Sequence, residues 1–289
     1  MDKLRTMPRL CFVSIAAVTL IGTVLRSVCM LTQFDAEVGY FRSGILASLS
    51  TVFYFLAVAL SVITATRISK RSLAATLDTR LRLPAAFLWG AAFAVFTVGV
   101  FLLCYAERKS NLLTAPMLLG ILSSLYFFIS GDRSGRYPDW LSLLGFLPVL
   151  WCVTAVGETY TDQFTAMNSP IKVGLQLGFL GLALILISEL RFRLGKPLPR
   201  VAVAFMGIGS YLALCGSVPV LLGTGAMILS NKLHLFYAIV LLCGGLYGLY
   251  TLFQYTWFPA EEESEWEDAE ESPYVPADTA DTPETPNAE

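Results

Sequence analysis

Eight long apolar stretches constrain the fold of this chain more than any other feature of its sequence. They lie at about residues 9–32, 44–65, 85–105, 113–130, 140–157, 170–189, 200–223 and 234–256. A membrane core about 30 Å thick is crossed by roughly 20 residues of α-helix, whose backbone satisfies its own hydrogen bonds. Each stretch meets or approaches that length. The sequence therefore predicts an all-α membrane protein, a bundle of about eight transmembrane helices.

Composition supports a membrane environment. Of the 289 residues, 55% are hydrophobic and only 15% are charged, whereas a soluble domain is about 25% charged. This balance argues against a soluble globular enzyme, a disordered chain and a nucleic-acid-binding protein. The predicted partner of the bundle is the lipid bilayer.

The positions of Lys and Arg predict how the spans are oriented. With the N-terminus in the cytoplasm, 14 of these residues fall in cytoplasmic segments and five in outer loops. The cytoplasmic set is Lys3, Arg5, Arg9, Arg67, Lys70, Arg71, Arg80, Arg82, Arg133, Arg136, Arg191, Arg193, Lys196 and Arg200. Because basic loops stay on the cytoplasmic side, we expect both termini in the cytoplasm.

The C-terminal segment differs from the rest of the chain. Residues 261–289 contain 12 of the 22 acidic residues and no base, whereas residues 1–260 contain all 20 Lys and Arg. This segment has too little apolar surface to offset the entropy of ordering. We therefore predict a transmembrane bundle over residues 1–258 and a disordered, acidic cytoplasmic tail over residues 259–289.

The tail has two large hydrophobic side chains, Trp266 and Tyr274. They are the natural anchors if the tail recruits a cytosolic partner. The alternatives are a solubilising spacer and docking of the tail onto the basic inner loops, which salt would weaken.

The longest inner loop, residues 66–84, spaces Leu73, Leu77 and Leu81 four residues apart among basic residues. That spacing is typical of a helix that lies in the membrane interface and places its bases near anionic lipid headgroups. The alternative is a solvated basic loop that only sets the topology.

Signatures of an enzyme are almost absent. The chain has one His, and it lacks both a Gly-rich phosphate loop followed by Lys and a cluster of His, Cys, Asp and Glu at metal-ligand spacing. The nearest approach to a hydrolase, Ser210 with His234, would place the two side chains about half a membrane apart, and His234 is interpreted as an interfacial polar residue. We therefore predict no catalytic residue, metal or cofactor, and an intramembrane enzyme is the least favoured class.

Arg26 is the most informative single residue, because a charge within a span is costly and usually faces protein or water. In one interpretation its side chain extends outward to the membrane surface. In the other it pairs with Asp35, Glu158 or Asp162 at the outer mouth of a polar cavity, where it binds an anionic group or forms a gate. Arg26, Asp35 and Glu158 are therefore the candidate binding or gating residues.

Two prolines fall inside predicted spans, Pro148 in the fifth and Pro219 in the seventh. Proline removes a backbone donor and kinks a helix, so both are candidate hinges. A broken seventh span that lines a substrate path is one possibility. Gly174 with Gly178, and Gly244 with Gly248, have the spacing of helix faces that pack closely in membranes.

The stretch Leu31-Thr-Gln-Phe-Asp-Ala-Glu-Val-Gly-Tyr-Phe41, the eight-span layout and the basic inner loops together resemble uncharacterised polytopic membrane proteins of anaerobic Gram-positive bacteria. The resemblance implies a bacterial plasma membrane. It carries no assigned activity, so no functional residue is transferred from it.

Two functions remain from the sequence alone. The first is a small-solute permease or a membrane subunit of one, with spans one, five and seven lining the path. The second is a membrane scaffold or regulatory protein whose tail recruits a cytosolic partner. A continuous polar cavity lined by Arg26 would favour the permease, whereas a dry core with Arg26 at the headgroups would favour the scaffold.

Overall fold

The computed structural model describes residues 2–67, 79–107, 114–131, 139–162, 165–166, 168–194, 198–229 and 231–257. Within these ranges the chain forms nine α-helices and one short hairpin. The helices are α1 (Asp2–Thr32), α2 (Ile45–Arg67), α3 (Thr79–Glu107), α4 (Thr114–Gly131), α5 (Asp139–Leu144), α6 (Leu147–Thr161), α7 (Pro170–Arg193), α8 (Pro199–Gly225) and α9 (Lys232–Trp257). The strands β1 (Phe34–Asp35) and β2 (Tyr40–Phe41) pair antiparallel between α1 and α2.

Each of the eight apolar stretches falls on these helices, and the fifth is divided into α5 and α6. Seven of the resulting segments are long and apolar enough to cross a membrane, while the apolar part of α4, Ala115–Ser130, is shorter. The prediction of an all-α, multi-pass membrane protein is thus confirmed at this coarser level. The eighth span and the orientation of the termini stay predictions.

The segment predicted as one long inner loop, residues 66–84, is shorter than expected. Helix α2 continues to Arg67 and α3 begins at Thr79, because the leucines and small residues on both sides extend the helices. The remaining residues, 68–78, lie outside the described part of the chain, as does the tail predicted at 259–289.

Proline marks the start of three helices. Pro148, Pro170 and Pro199 occupy the first positions of α6, α7 and α8. A backbone N–H at this position has no partner within the helix, so its loss costs nothing there, and the fixed φ of proline suits the first turn. The α5–α6 break therefore lies just before Pro148, at residues 145–146.

Helix α8 lies at the centre of the bundle and packs against α1, α2, α7 and α9. Of the residues in its apolar window, 78% are buried, compared with 17% in α2. The exposed side of α2 carries large apolar side chains, including Ile45, Val52 and Phe55. Such a surface is stable against lipid tails and costly against water, so α2 lies at the lipid-facing periphery.

Glycines allow α7 and α8 to cross in backbone contact. A Cβ atom added to Gly216 would lie 2.5 Å from the carbonyl oxygen of Gly174, and one added to Gly209 would collide with the carbonyl oxygen of Gly181. On α9, a Cβ on Gly248 would collide with Ser210 of α8. The predicted close-packing faces on α7 and α9 are thus confirmed, and their partners lie on α3, α7, α8 and α9.

The largest buried cluster is aromatic and centres on Trp151 of α6, whose side chain is fully buried. Its ring lies edge-on to Phe93 and Phe96 of α3 at centroid distances of 4.9 and 5.1 Å. Phe179 of α7 and Tyr237 of α9 complete the contact at 5.6 and 5.8 Å. Trp151 thereby joins α3, α6, α7 and α9.

The hairpin after α1 marks one end of the bundle, called here the Asp35 end. Arg26 near the end of α1 bonds to Pro170 at the start of α7, which places α7's N-terminus at this end. Asp162, just after α6, lies beside His234 near the start of α9. Gly39 closes the hairpin with a φ of 78°, a conformation that glycine adopts without a steric penalty.

Candidate functional site

Arg26 lies six residues before the end of α1, and its guanidinium joins three elements at the Asp35 end. Its Nη1 donates to Ser50 Oγ of α2 at 3.3 Å, and its Nη2 donates to the carbonyl oxygen of Pro170 at 3.1 Å. The rings of Phe41 and Tyr54 lie 4.6 and 5.8 Å from the guanidinium carbon. All four partners are electrically neutral.

The acidic partners predicted for Arg26 bind elsewhere. Asp35 Oδ2 pairs with Arg42 at 3.3 Å, and Glu158 Oε2 accepts a hydrogen bond from the Tyr237 hydroxyl at 2.6 Å. Asp162 Oδ2 lies 3.5 Å from His234 Nε2, so none of these three acids pairs with Arg26 in this structure. The outward-extended conformation stays a prediction, since the guanidinium bonds to the first residue of α7 at the Asp35 end.

A small recess lies beside Arg26, between α1, α7 and α8. Its lining consists of Arg26, Met30, Phe41, Pro170, Ile171, Gly174, Cys215, Gly216, Pro219 and Val220. The accessible volume of the recess is about 10 Å³, which is room for about one water molecule. The recess is thus far smaller than the continuous polar cavity that would favour a permease.

Only one of the two predicted hinges reaches this recess. Pro219 lines it, and α8 runs through Pro219 without a break, so the seventh span is not broken here and its predicted flexibility stays a prediction. Pro148 is the second residue of α6 and does not line the recess. The recess is thus formed by spans one, six and seven, rather than by spans one, five and seven as expected.

Buried polar groups continue from Arg26 into the interface of α1, α2 and α8. Thr23 Oγ1 lies 3.5 Å from Cys215 Sγ, and the rings of Tyr54 and Tyr211 meet edge-to-face at 5.3 Å. In the described structure the hydroxyls of Thr19 and Tyr54 are buried without a hydrogen-bond partner. Such groups destabilise an apolar interior by about 1–3 kcal/mol each.

Glu158 belongs to a second polar group at the same end of the bundle, called here the Glu158 cluster and formed by Glu158, Asp162, Lys172, His234 and Tyr237. His234 Nε2 lies 3.5 Å from Asp162 Oδ2, and Lys172 Nζ donates to the backbone oxygen of Asp162 at 2.8 Å. His234 and Lys172 are 3% and 2% exposed. Charged and polar side chains this deeply buried in a membrane bundle generally mark function.

Sequence reasoning missed most of the Glu158 cluster. His234 was interpreted as an interfacial residue, but the structure buries it against Asp162. The available signal was spacing: Glu158 and Asp162 are four residues apart, and His234 and Tyr237 three, so that each pair lies on one side of its element. Nothing in the spacing indicated that the two pairs meet.

Comparisons with known proteins add no relative. No protein-family model matches the chain, and no match was found among curated proteins or solved structures. The resemblance to bacterial membrane proteins stays a prediction. Within the described ranges, no three His, Cys, Asp or Glu side chains meet as a metal site would require.

The Asp35 hairpin provides a pH-dependent prediction. Backbone N–H groups of Val38 and Glu37, together with Arg42, hold the pKa of Asp35 below its ordinary value of 3.8. A depressed pKa stabilises the folded hairpin at neutral pH, and this stabilisation is lost as the pH falls through the folded value. We expect the amides of Glu37 and Val38 to lose protection from hydrogen exchange at such acidic pH.

Hydrogen exchange measured from neutral to acidic pH, corrected for its intrinsic pH dependence, checks this expectation. In Asp35→Asn the protection should no longer depend on pH, because asparagine does not titrate. The same pH dependence in both proteins would contradict the role of Asp35.

Proposed function

We propose that the chain is a small-solute permease, or the membrane subunit of one, and that Arg26 binds an anionic group of the solute. In this proposal eight spans cross a plasma membrane, with both termini in the cytoplasm. The observation that carries the proposal is the guanidinium of Arg26, which lies within a span and is held by neutral partners only.

The electrostatic argument is direct. A cation within a membrane span is costly, and pairing with an anion reduces that cost. In the described residues no carboxylate lies within 4 Å of Arg26, since Asp35 and Glu158 are bound elsewhere. A small carboxylate or phosphate in the recess would supply the missing negative charge.

The recess beside Arg26 has room for about one water, so the proposal requires that the recess opens for a solute to pass. Pro219 lines it on α8, and a proline inside a helix removes a backbone hydrogen bond and eases bending. Movement of α8 against α7 would widen the recess toward Thr23 and Tyr54.

The other predicted function, a scaffold, depends on the tail at 259–289 and on a cytosolic partner. Binding of anionic lipids was predicted for residues 66–84. Both predictions rest largely on residues outside the described part of the chain.

Transport by purified protein in liposomes tests the proposal. We expect counterflow of at least one member of a panel of small carboxylates and phosphate esters, and a loss of about tenfold or more in Arg26→Gln. A hydrogen bond to a charged group contributes about 1.5–3 kcal/mol, and 1.4 kcal/mol is a factor of ten in affinity.

Arg42→Gln is the matched control, because Arg42 lies at the same end of the bundle and its side chain is 77% exposed. It should transport like the wild type. Equal transport by Arg26→Gln and the wild type, or no flux of any anion in the wild type, would refute the proposal.

A further inference from the structure

We propose that the Glu158 cluster binds one proton, carried by Glu158, and that this proton moves together with the anion held at Arg26. The coupled movement of proton and anion rests on the proposed permease function. Proton binding concerns a site separate from the recess and can be tested without transport.

The charges of the cluster motivate proton binding. Its described members comprise two carboxylates, Glu158 and Asp162, and one lysine, Lys172, with the imidazole of His234 beside Asp162. The two carboxylates outnumber the lysine, and both are only partly exposed. One proton added to Glu158 removes that imbalance, and burial favours the balanced state.

The contacts assign the proton to Glu158. Asp162 is engaged by Thr165 Oγ1 at 2.7 Å and by His234 at 3.5 Å, whereas the partner of Glu158 is the neutral hydroxyl of Tyr237. His234 and Asp162 lie close enough to act on the charge of Glu158. The added proton forms an O–H bond on the Glu158 carboxylate.

No further charge faces Glu158 and Tyr237 from the described residues of the neighbouring helices. Tyr237 is enclosed by Phe96 of α3, Trp151 of α6 and Phe179 of α7. Lys232 begins α9 but is exposed. The site is thus dry on its inner side and approaches solvent only toward the Asp35 end.

The first turn of α7 connects the proton site with Arg26. The carbonyl of Pro170 accepts a hydrogen bond from Arg26, and Lys172, two residues later, donates to the backbone of Asp162. Protonation of Glu158 removes a negative charge near Lys172 and His234. Because Lys172 lies in the first turn of α7, this change acts on the same turn that binds the Arg26 guanidinium through Pro170. One proton and one monovalent anion would cross together without net charge.

Infrared spectroscopy of the purified protein tests proton binding directly. On acidification we expect a C=O stretch of a buried, protonated carboxyl group that is present in the wild type, absent in Glu158→Gln and shifted in Tyr237→Phe. Glu37→Gln, which removes an exposed carboxylate, is the matched control and should keep the band. The same band in the wild type and Glu158→Gln would overturn the assignment.

Liposomes with an imposed pH gradient test the coupling. Anion uptake by the wild type and by Glu37→Gln should accelerate when the interior is alkaline, and the ratio of rates with and without the gradient should fall to one in Glu158→Gln. Uptake by the wild type that ignores the gradient would overturn coupling but leave the permease. If no anion is transported at all, both the permease proposal and the coupling are refuted. Proton binding is then still tested by the infrared measurement.

Discussion

Replacing Trp151 with alanine is expected to lower the free energy of unfolding by about 3–5 kcal/mol, the usual cost of removing a large aromatic side chain from a packed interior. The ring is fully buried and contacts Phe93, Phe96, Phe179 and Tyr237. Each edge-to-face aromatic pair adds about 0.5–1.5 kcal/mol beyond the area it buries. The aromatic enclosure keeps lipid tails from refilling the cavity.

Titration of the micelle-bound protein with a denaturing detergent measures this loss. Trp140→Ala is the matched control, because Trp140 is 52% exposed at the start of α5 and its removal should cost far less. If the two variants unfold at the same detergent fraction, Trp151 does not hold the four helices together.

Gly209→Ala is expected to destabilise the bundle by about 1–3 kcal/mol, although alanine is the better helix former. The added Cβ would collide with the carbonyl oxygen of Gly181 and lie 2.7 Å from Cγ1 of Ile185. A backbone oxygen cannot rotate away as a side chain can, so α7 and α8 must separate. The packing of α8, the most buried helix, against α7 is thereby weakened.

Gly157→Ala provides the comparison, since a Cβ at Gly157 meets nothing within 4 Å. That variant should be as stable as the wild type or gain up to about 1 kcal/mol from helix propensity. Unfolding both variants in the same detergent titration separates the effect of the steric clash at Gly209 from the general effect of replacing glycine with alanine. Equal stability of both would mean that the crossing tolerates a methyl group.

The helices and their close-packing glycines could be predicted from the sequence because both depend on local patterns. Hydropathy over about 20 residues determines where a helix can cross lipid, and the observed ends lie within a few residues of most predicted ones. Gly174 and Gly178 share a face by helical geometry alone. Their partners Gly216 and Leu212 on α8 required the structure.

The partners of the site residues could not be predicted, because hydropathy constrains depth in the membrane but not position around the bundle. Arg26, Asp35 and Glu158 do lie at one end, as expected. Around that end, Glu158 meets Tyr237, 79 residues away in sequence, and the hairpin places Phe41 over Arg26. Such contacts depend on which helices become neighbours, and eight similar apolar segments do not encode this in their composition.

The central position of α8 has a consequence for biogenesis. Its neighbours α1 and α2 are synthesised first, whereas α8 follows only after α3 to α7. At about 5–20 residues per second, α1 and α2 wait on the order of 10 s in the membrane, with Arg26 exposed before its partner Pro170 arrives. Truncation before α8 would leave α1 and α2 without the helix against which they pack.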